Sequence, residues 1–191
     1  PEAIAAVEGE QERLKWFGIY PQRQGGDAFM FRIKIPGGRL TSQQARVIGQ
    51  MAEEFAVGPY PNPVFGTGFL DITTRQDIQL HWIKIGNIPE MWRRLEEVGM
   101  TTTQACGDSA RNVVCCPVSG LDREEVIHAY PLAEAITKFF VGNREYANLP
   151  RKFKMSITGC VEDCAQADIN DIGLTPAKQE DGTLGFNVRV G

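Results

Sequence analysis

Histidine is scarce in this chain: His81 and His128 are the only two among 191 residues. A zinc site built on imidazole has too few ligands here, and no C-x2-C pair takes its place. No apolar run approaches the ~18 residues of a membrane span, so no membrane partner is expected. Basic charge is also in short supply: 20 Lys and Arg against 24 Asp and Glu leave a net charge of −4. A nucleic-acid partner is therefore not expected, and any anion site has to be a local concentration of cations on an acidic molecule. G-x-G-x-x-G, the Walker loop, G-x-S-x-G and H-E-x-x-H are all missing. Ser119 and Ser156 have no recognisable base and orienting group nearby, so hydrolysis lacks support. The N-terminal PEAIAAVEGEQERLKW is acidic and amphipathic, unlike a signal or transit peptide, and a cytoplasmic location is expected.

What is present is an ordinary globular mix, with 42% apolar and 23% charged residues. The length suits one large domain or two small ones with real cores. Five cysteines, an odd number, lie between Cys106 and Cys164. A secreted disulfide framework is more often even in number and spread along the chain, so a reducing compartment is expected. The thiols are then buried, ligating or reactive.

Two α+β regions emerge from the periodicity. The first spans residues 1–100. An N-terminal helix or arm covers 2–16, and AFMFRIKIPGG alternates as a strand closed by a Pro-Gly-Gly turn. TSQQARVIGQMAEEFA is a helix capped by Thr41 or Ser42, with Ala45, Ile48, Met51, Ala52 and Phe55 on one face. GTGFLDITTRQDIQLHWIKI provides one or two strands. NIPEMWRRLEEVGM is a helix, with Asn87 expected to cap it and Gly99 to end it. Strand–helix–strand–helix points to a small ferredoxin-like unit. The second region, 101–191, opens with irregular TTTQACGDSARNVVCCPVSGLD, expected to be loop with a short helix. EEVIHAYPLAEAITKFFVG is helical, interrupted or restarted at Pro131. KFKMSITG reads as an alternating strand, and DIGLTPAKQEDGTLGFNVRVG as two strands joined by an Asp-Gly turn. No internal repeat or low-complexity linker stands out. The chain stops on a strand without a stop signal, as a piece of something longer would.

Two sets of residues carry chemical interest. One is cationic: Arg32 on the strand before the Pro-Gly-Gly turn, Arg75 in TTRQ, Arg111 in GDSARN, and Arg151, Lys152 and Lys154 in the basic run LPRKFK. If KFKMSITG alternates throughout, Lys152 and Lys154 share a face, which is unfavourable unless solvated or offset by an anion. Cys160-x3-Cys164 follows that strand directly, with Cys116 upstream in CCPVSGLD. Thiolates at this spacing suit an iron–sulfur cluster or zinc, and nearby cations ease their deprotonation.

Five motifs, in order, carry a resemblance: FRIKIPGG with a following T-S-Q-Q, TTRQDIQLHW, GDSARNVV, LPRKFK and NDIGL. Together they resemble the N-terminal half of the siroheme-dependent sulfite and nitrite reductases, over almost the whole chain. The resemblance implies an α+β fold, a ferredoxin-like half-domain followed by a siroheme-binding-type domain. It implies siroheme and a [4Fe–4S] cluster, sulfite or nitrite as substrate, and an electron donor such as ferredoxin or a flavoprotein. A second half, or a second chain, is implied as partner. It places the substrate-binding cations on Arg32, Arg111, Lys152 and Lys154. Arg75, Gln76, Gln79 and His81 match the siroheme-facing motif, and Asn112 and Arg151 are assigned to cofactor binding with them. Lys154 and His81 stand where nitrite-type members tend to carry Asn and Arg, which favours sulfite.

The thiols depart from the family pattern, in which the cluster ligands usually come from the second half. One expectation is that Cys116, Cys160 and Cys164 hold a cluster, completed by Asp122 or Cys115. The other, which is favoured, is that they are relics of a duplication. Two further functions stay open on the residues alone: a non-catalytic half that binds siroheme or a partner, and a thiol-based redox or metal sensor.

Overall fold

A computed structural model describes residues 9–22, 27–64, 66–68 and 70–191 of the chain. It divides into two compact units. The first comprises the described residues up to Ile35 together with Leu40–Gly107, and the second Pro36–Arg39 together with Asp108–Gly191. The division thus falls at Gly107 rather than at residue 100, and the Pro-Gly-Gly turn goes with the second unit.

In the first unit, four antiparallel strands run in the order β1 (Ile19–Pro21), β2 (Phe29–Ile33), β6 (Ile78–Ile83), β5 (Leu70–Ile72). β3 (Val57–Asn62) and β4 (Gly66–Gly68) form a separate ribbon. Strand alternation decides the faces: Phe29, Phe31 and Ile33 are buried, while Met30 and Arg32 between them are half-buried. Burying each such side chain contributes about 1.5–3 kcal/mol. Two helices cover the apolar face. α2 (Ser42–Phe55) starts at a capping box, Thr41 Oγ1 accepting from the Gln44 N–H while the Gln44 side chain accepts from the Thr41 N–H, and it buries Ile48, Met51 and Ala52. α3 (Ile88–Glu96) has Pro89 in its first turn and buries Ile88, Met91 and Leu95. Asn87 makes no side-chain capping bond, contrary to expectation, because a short 3-10 turn over Ile85–Asn87 runs straight into the helix. Of the expected N-terminal helix, α1 (Glu10–Trp16) is present, and residues 1–8 lie outside the described residues.

The second unit holds a mixed sheet ordered β10 (Leu184–Val190), β9 (Ile172–Lys178), β8 (Met155–Ile157), β7 (Val114–Cys115). β9 and β10 are the expected antiparallel hairpin, whereas β7, β8 and β9 pair in parallel. α4 (Tyr130–Phe140) begins at Tyr130 with Pro131 in the first turn, so the proline starts the helix and 124–129 are not helical. The short helix expected within 101–122 is absent; that segment is turns and the two residues of β7. Gly37 fixes the Pro-Gly-Gly turn in this unit. Its φ is +58°, and a Cβ there would meet the Tyr130 ring at 2.9 Å and Cys115 Cβ at 3.1 Å. Its N–H donates to Val113 O, and Arg39 stacks 4.3 Å above the Tyr130 ring.

Candidate functional site

The first unit's sheet carries its polar chemistry on the face away from the helices. Arg32 on β2 sits directly across from Gln79 on β6, which in turn faces Asp71 on β5. The Arg32 Nη2 donates to Gln79 Oε1 at 2.6 Å, and the guanidinium carbon lies 5.2 Å from the Tyr20 ring centroid. Gln79 and Tyr20 therefore hold the fork in one orientation, while the buried Arg32 Nε has no hydrogen-bond partner among the described residues. His81, two places along β6, shares a 2.8 Å hydrogen bond between its Nε2 and Asp71 Oδ2.

Arg75 and Gln76 belong to the tight loop between β5 and β6. Thr73 closes it: its N–H donates to Asp77 O at 2.9 Å, its carbonyl accepts from the Gln76 N–H, and its hydroxyl accepts from the Asp77 N–H. Gln76 adopts φ +59°, a left-handed backbone uncommon for a residue with a side chain. The motif TTRQ is thus a hairpin loop that presents its last two residues from a constrained backbone.

The second unit places its cations on irregular chain. The Arg111 N–H donates to Phe153 O at 2.9 Å and the Leu149 N–H to Asp108 O at 2.9 Å, so the GDSARN and LPRKFK segments are laced together. This sets Arg111 and the buried Asn112 beside the run from Arg151 to Lys154. The extended strand expected from KFKMSITG is shorter than that. Only Met155–Ile157 pair, Phe153 N–H turns back to Pro150 O, and Lys152 has φ +64°. Alternation therefore does not put Lys152 and Lys154 on one face. Arg151 and Lys152 are exposed, whereas Lys154 is half-buried with its N–H donated to Asp171 Oδ2 at 2.8 Å. NDIGL thus has a structural role: Asp171 pins the lysine loop to the start of β9.

The thiols gather near the carboxyl ends of β7 and β8, without forming a ligand set. Cys115 is fully buried, and burial pushes its thiol up to about 11. Burial also raises Cys116, which lies close enough to Cys160 to hydrogen bond with it. Cys160 is buried with Thr158 Oγ1 3.8 Å from its sulfur, whereas Cys164 is exposed. Among the described residues no group of three or more His, Cys, Asp or Glu is placed to hold a metal ion. Asp122 is occupied locally, accepting from the Glu124 N–H. Ser119 serves structure as well, bonded to Glu125 and to the backbone at the start of α4.

Two family models match the chain. The nitrite/sulfite reductase ferredoxin-like half domain covers residues 20–60 and 64–98, and the nitrite and sulphite reductase 4Fe-4S domain covers 106–191. The chain belongs to the siroheme-dependent nitrite and sulfite reductase family. It is 47% identical over 95% of its length to the assimilatory ferredoxin-dependent nitrite reductase of Haloferax mediterranei, covering 33% of that protein. Ferredoxin–nitrite reductase of Leptolyngbya laminosa is 40% identical over 94% of the chain, which covers 34% of that protein. Sulfite reductase [ferredoxin] of Mycobacterium tuberculosis is 35% identical over 94% of the chain and 33% of its own length. The fold matches the solved structure of Mycobacterium tuberculosis NirA with a TM-score of 0.84 at 33% identity, over 98% of this chain and 36% of that one. The chain thus spans about a third of the length of the curated relatives it matches.

Siroheme and a [4Fe–4S] cluster are the cofactors of the family. No helix among the described residues is long and apolar enough to cross a membrane. Three residues of the first unit's polar region escaped the reading of the sequence: Tyr20 under Arg32, and the buried charges Lys34 and Asp77. Asp77 and Lys34 keep the parity of Gln79 and Arg32 on their strands, so an alternation count carried one residue past each strand end would have found them.

Proposed function

We propose that this chain contributes the anion-binding part of a siroheme-dependent reductase that carries six electrons from a ferredoxin-type donor to sulfite or nitrite. The observation that carries this reading is the fixed, half-buried Arg32, with a donor held in place by Gln79 and a second donor buried and unpartnered among the described residues. Such a fork fits a carboxylate or an oxyanion, and siroheme has many carboxylates. When bound, siroheme supplies the electron-delivering iron. The chain's own residues bind and orient. Arg32 and Gln79 offer preset donors on the first unit's sheet, Arg75 and Gln76 extend that set from their loop, and His81 is held by Asp71. Arg111, Lys152 and Lys154 provide cations in the second unit, stabilising negative charge on an oxyanion, and the two lysines hold protons at Nζ for oxygens that leave as water. The cysteines do not fit a cluster as arranged, and no step is assigned to them.

Within this class, sulfite is the preferred substrate in this reading, supported by Lys154 and His81. Nitrite is a second reading, favoured by the higher identity to the nitrite reductases. Absorption spectroscopy and iron determination on the purified protein, followed by dye-coupled reduction of both anions, test the function. Siroheme bands with turnover support it; a protein that stays colourless and inert toward both anions even with siroheme and a second half-domain supplied overturns it. Lys154→Asn tests the choice between the anions. The ratio of kcat/KM for sulfite over nitrite should fall by about tenfold, the scale of one charge-assisted hydrogen bond; an unchanged ratio removes Lys154 from specificity.

A further inference from the structure

Asp77 is a carboxylate where the site as described needs cations. It is only 5% exposed, and its Oδ1 has no hydrogen-bond partner among the described residues. The β2–β6 register pairs Arg32 with Gln79 and Ile33 with Ile78. Continued by one residue, it sets Asp77 opposite Lys34, itself 3% exposed and donating from Nζ to Gln104 O at 3.4 Å. The groups acting on the carboxylate come from both strands and the loop: the charges of Arg32, Lys34 and Arg75, and a hydrogen bond from the Ile35 backbone.

We infer that Asp77 is a positioning residue, a buried counter-ion whose protonation sets how much of the Arg32, Lys34 and Arg75 charge remains available to an incoming anion. Burial outweighs the three cations and pushes its carboxyl up to about 6, so its charge changes within a working pH range. Protonated, Asp77 no longer offsets the charge of Arg32, Lys34 and Arg75, and the face attracts an anion more strongly. Ionised, it draws their field inward and competes with that anion. The inference deepens the proposed function, because it concerns the same Arg32 face.

The test uses the full chain and does not depend on turnover. Carbon-13 NMR of the Asp77 carboxyl and the Nε–Hε resonance of Arg32 are followed between about pH 4 and pH 8, in the wild type and in Asp77→Asn. The expected result is an Asp77 midpoint near 6, an Arg32 resonance that moves with the same midpoint, and loss of that movement in the variant. Titration with nitrite, an anion that stays ionised across most of this range, should show affinity falling about five- to tenfold as pH rises through the midpoint. In Asp77→Asn the affinity should be flat. A midpoint in the ordinary carboxylate range overturns the inference, as does an Arg32 signal indifferent to Asp77 or a nitrite affinity that does not follow pH in the wild type. If the variant does not fold, the two wild-type NMR titrations and the nitrite curve still decide. A protein that shows the coupled titration but binds no siroheme contradicts the proposed function and leaves the inference standing.

Discussion

In the function proposed above, the two units hold cations ready for an anion by opposite means. The first sets Arg32 and Gln79 opposite each other in a regular antiparallel sheet, where strand register dictates which side chains meet. The second presents Arg111, Lys152 and Lys154 from turns, held by scattered backbone bonds such as Arg111 N–H to Phe153 O and Lys154 N–H to Asp171. Sheet-borne groups draw their precision from a pattern shared by many residues. Loop-borne groups depend on a few single contacts, so each contact carries more of the outcome.

The largest expected effect follows from that dependence. Gly159 follows β8 where the chain passes the Ile127 carbonyl, and an added Cβ would fall 1.9 Å from that oxygen. Its own carbonyl accepts from the Val126 N–H at 2.7 Å. Gly159→Ala should destabilise the second unit by about 3 kcal/mol or more, read as a drop in the denaturant midpoint. A variant of unchanged midpoint would show that the Ile127 carbonyl yields to the added methyl group at no cost.

Asp77→Asn comes next and acts on the first unit's stability. The folded carboxyl sits at about 6 against 3.8 for a free one. Between those values the folded state keeps a proton that the unfolded chain has lost, so stability falls as pH rises through that window and is level above it. The asparagine variant lacks this fall and should be about 2–3 kcal/mol more stable than wild type at pH 8, with little difference near pH 4. Urea unfolding at the two pH values checks it, and a variant destabilised at pH 8 would mean that the three cations need the carboxylate more than burial penalises it.

Removing a cation sharpens the comparison further. Arg111→Ala should weaken oxyanion binding by about 10- to 100-fold while the melting temperature changes little. Loss of folding with no separate effect on binding would make Arg111 structural. The smallest effect is at Lys152, whose left-handed backbone disfavours any residue with a Cβ. Lys152→Gly should leave stability unchanged or raise it by up to about 1 kcal/mol, while weakening the anion. A clear loss of stability would show that the lysine side chain anchors the turn.

What the sequence discloses follows the same division. The alternation of AFMFRIKIPGG announced β2, and GTGFLDITTRQDIQLHWIKI announced strands, while the face shared by Arg32 and Gln79 emerges only from the register. The spacing of Ile48, Met51 and Ala52, with a cap at Thr41 or Ser42, announced α2, and the structure assigns the cap to Thr41. The lysine loop departs from the expected strand although KFKMSITG alternates. Its first residues turn back through a Phe153–Pro150 hydrogen bond and a left-handed Lys152, neither of which periodicity records. Asn87 failed as a cap because a 3-10 turn already continues into the helix it precedes. The parallel pairing of β7, β8 and β9 was equally hidden, since strands of two or three residues carry no pattern long enough to assign partners. Asp77 lies at the limit of both readings: its parity was available, but its burial only appears once Lys34 and Arg32 are in place around it.

The central claim, that these cations serve an anionic cofactor and an oxyanion, is tested most directly by titrating siroheme into the protein and following its visible absorption, in the wild type and in Arg32→Ala. The account predicts a saturable spectral change in the wild type, weakened about tenfold or more in the variant at an unchanged melting temperature. Equal binding by both, or no spectral change in either, would contradict it.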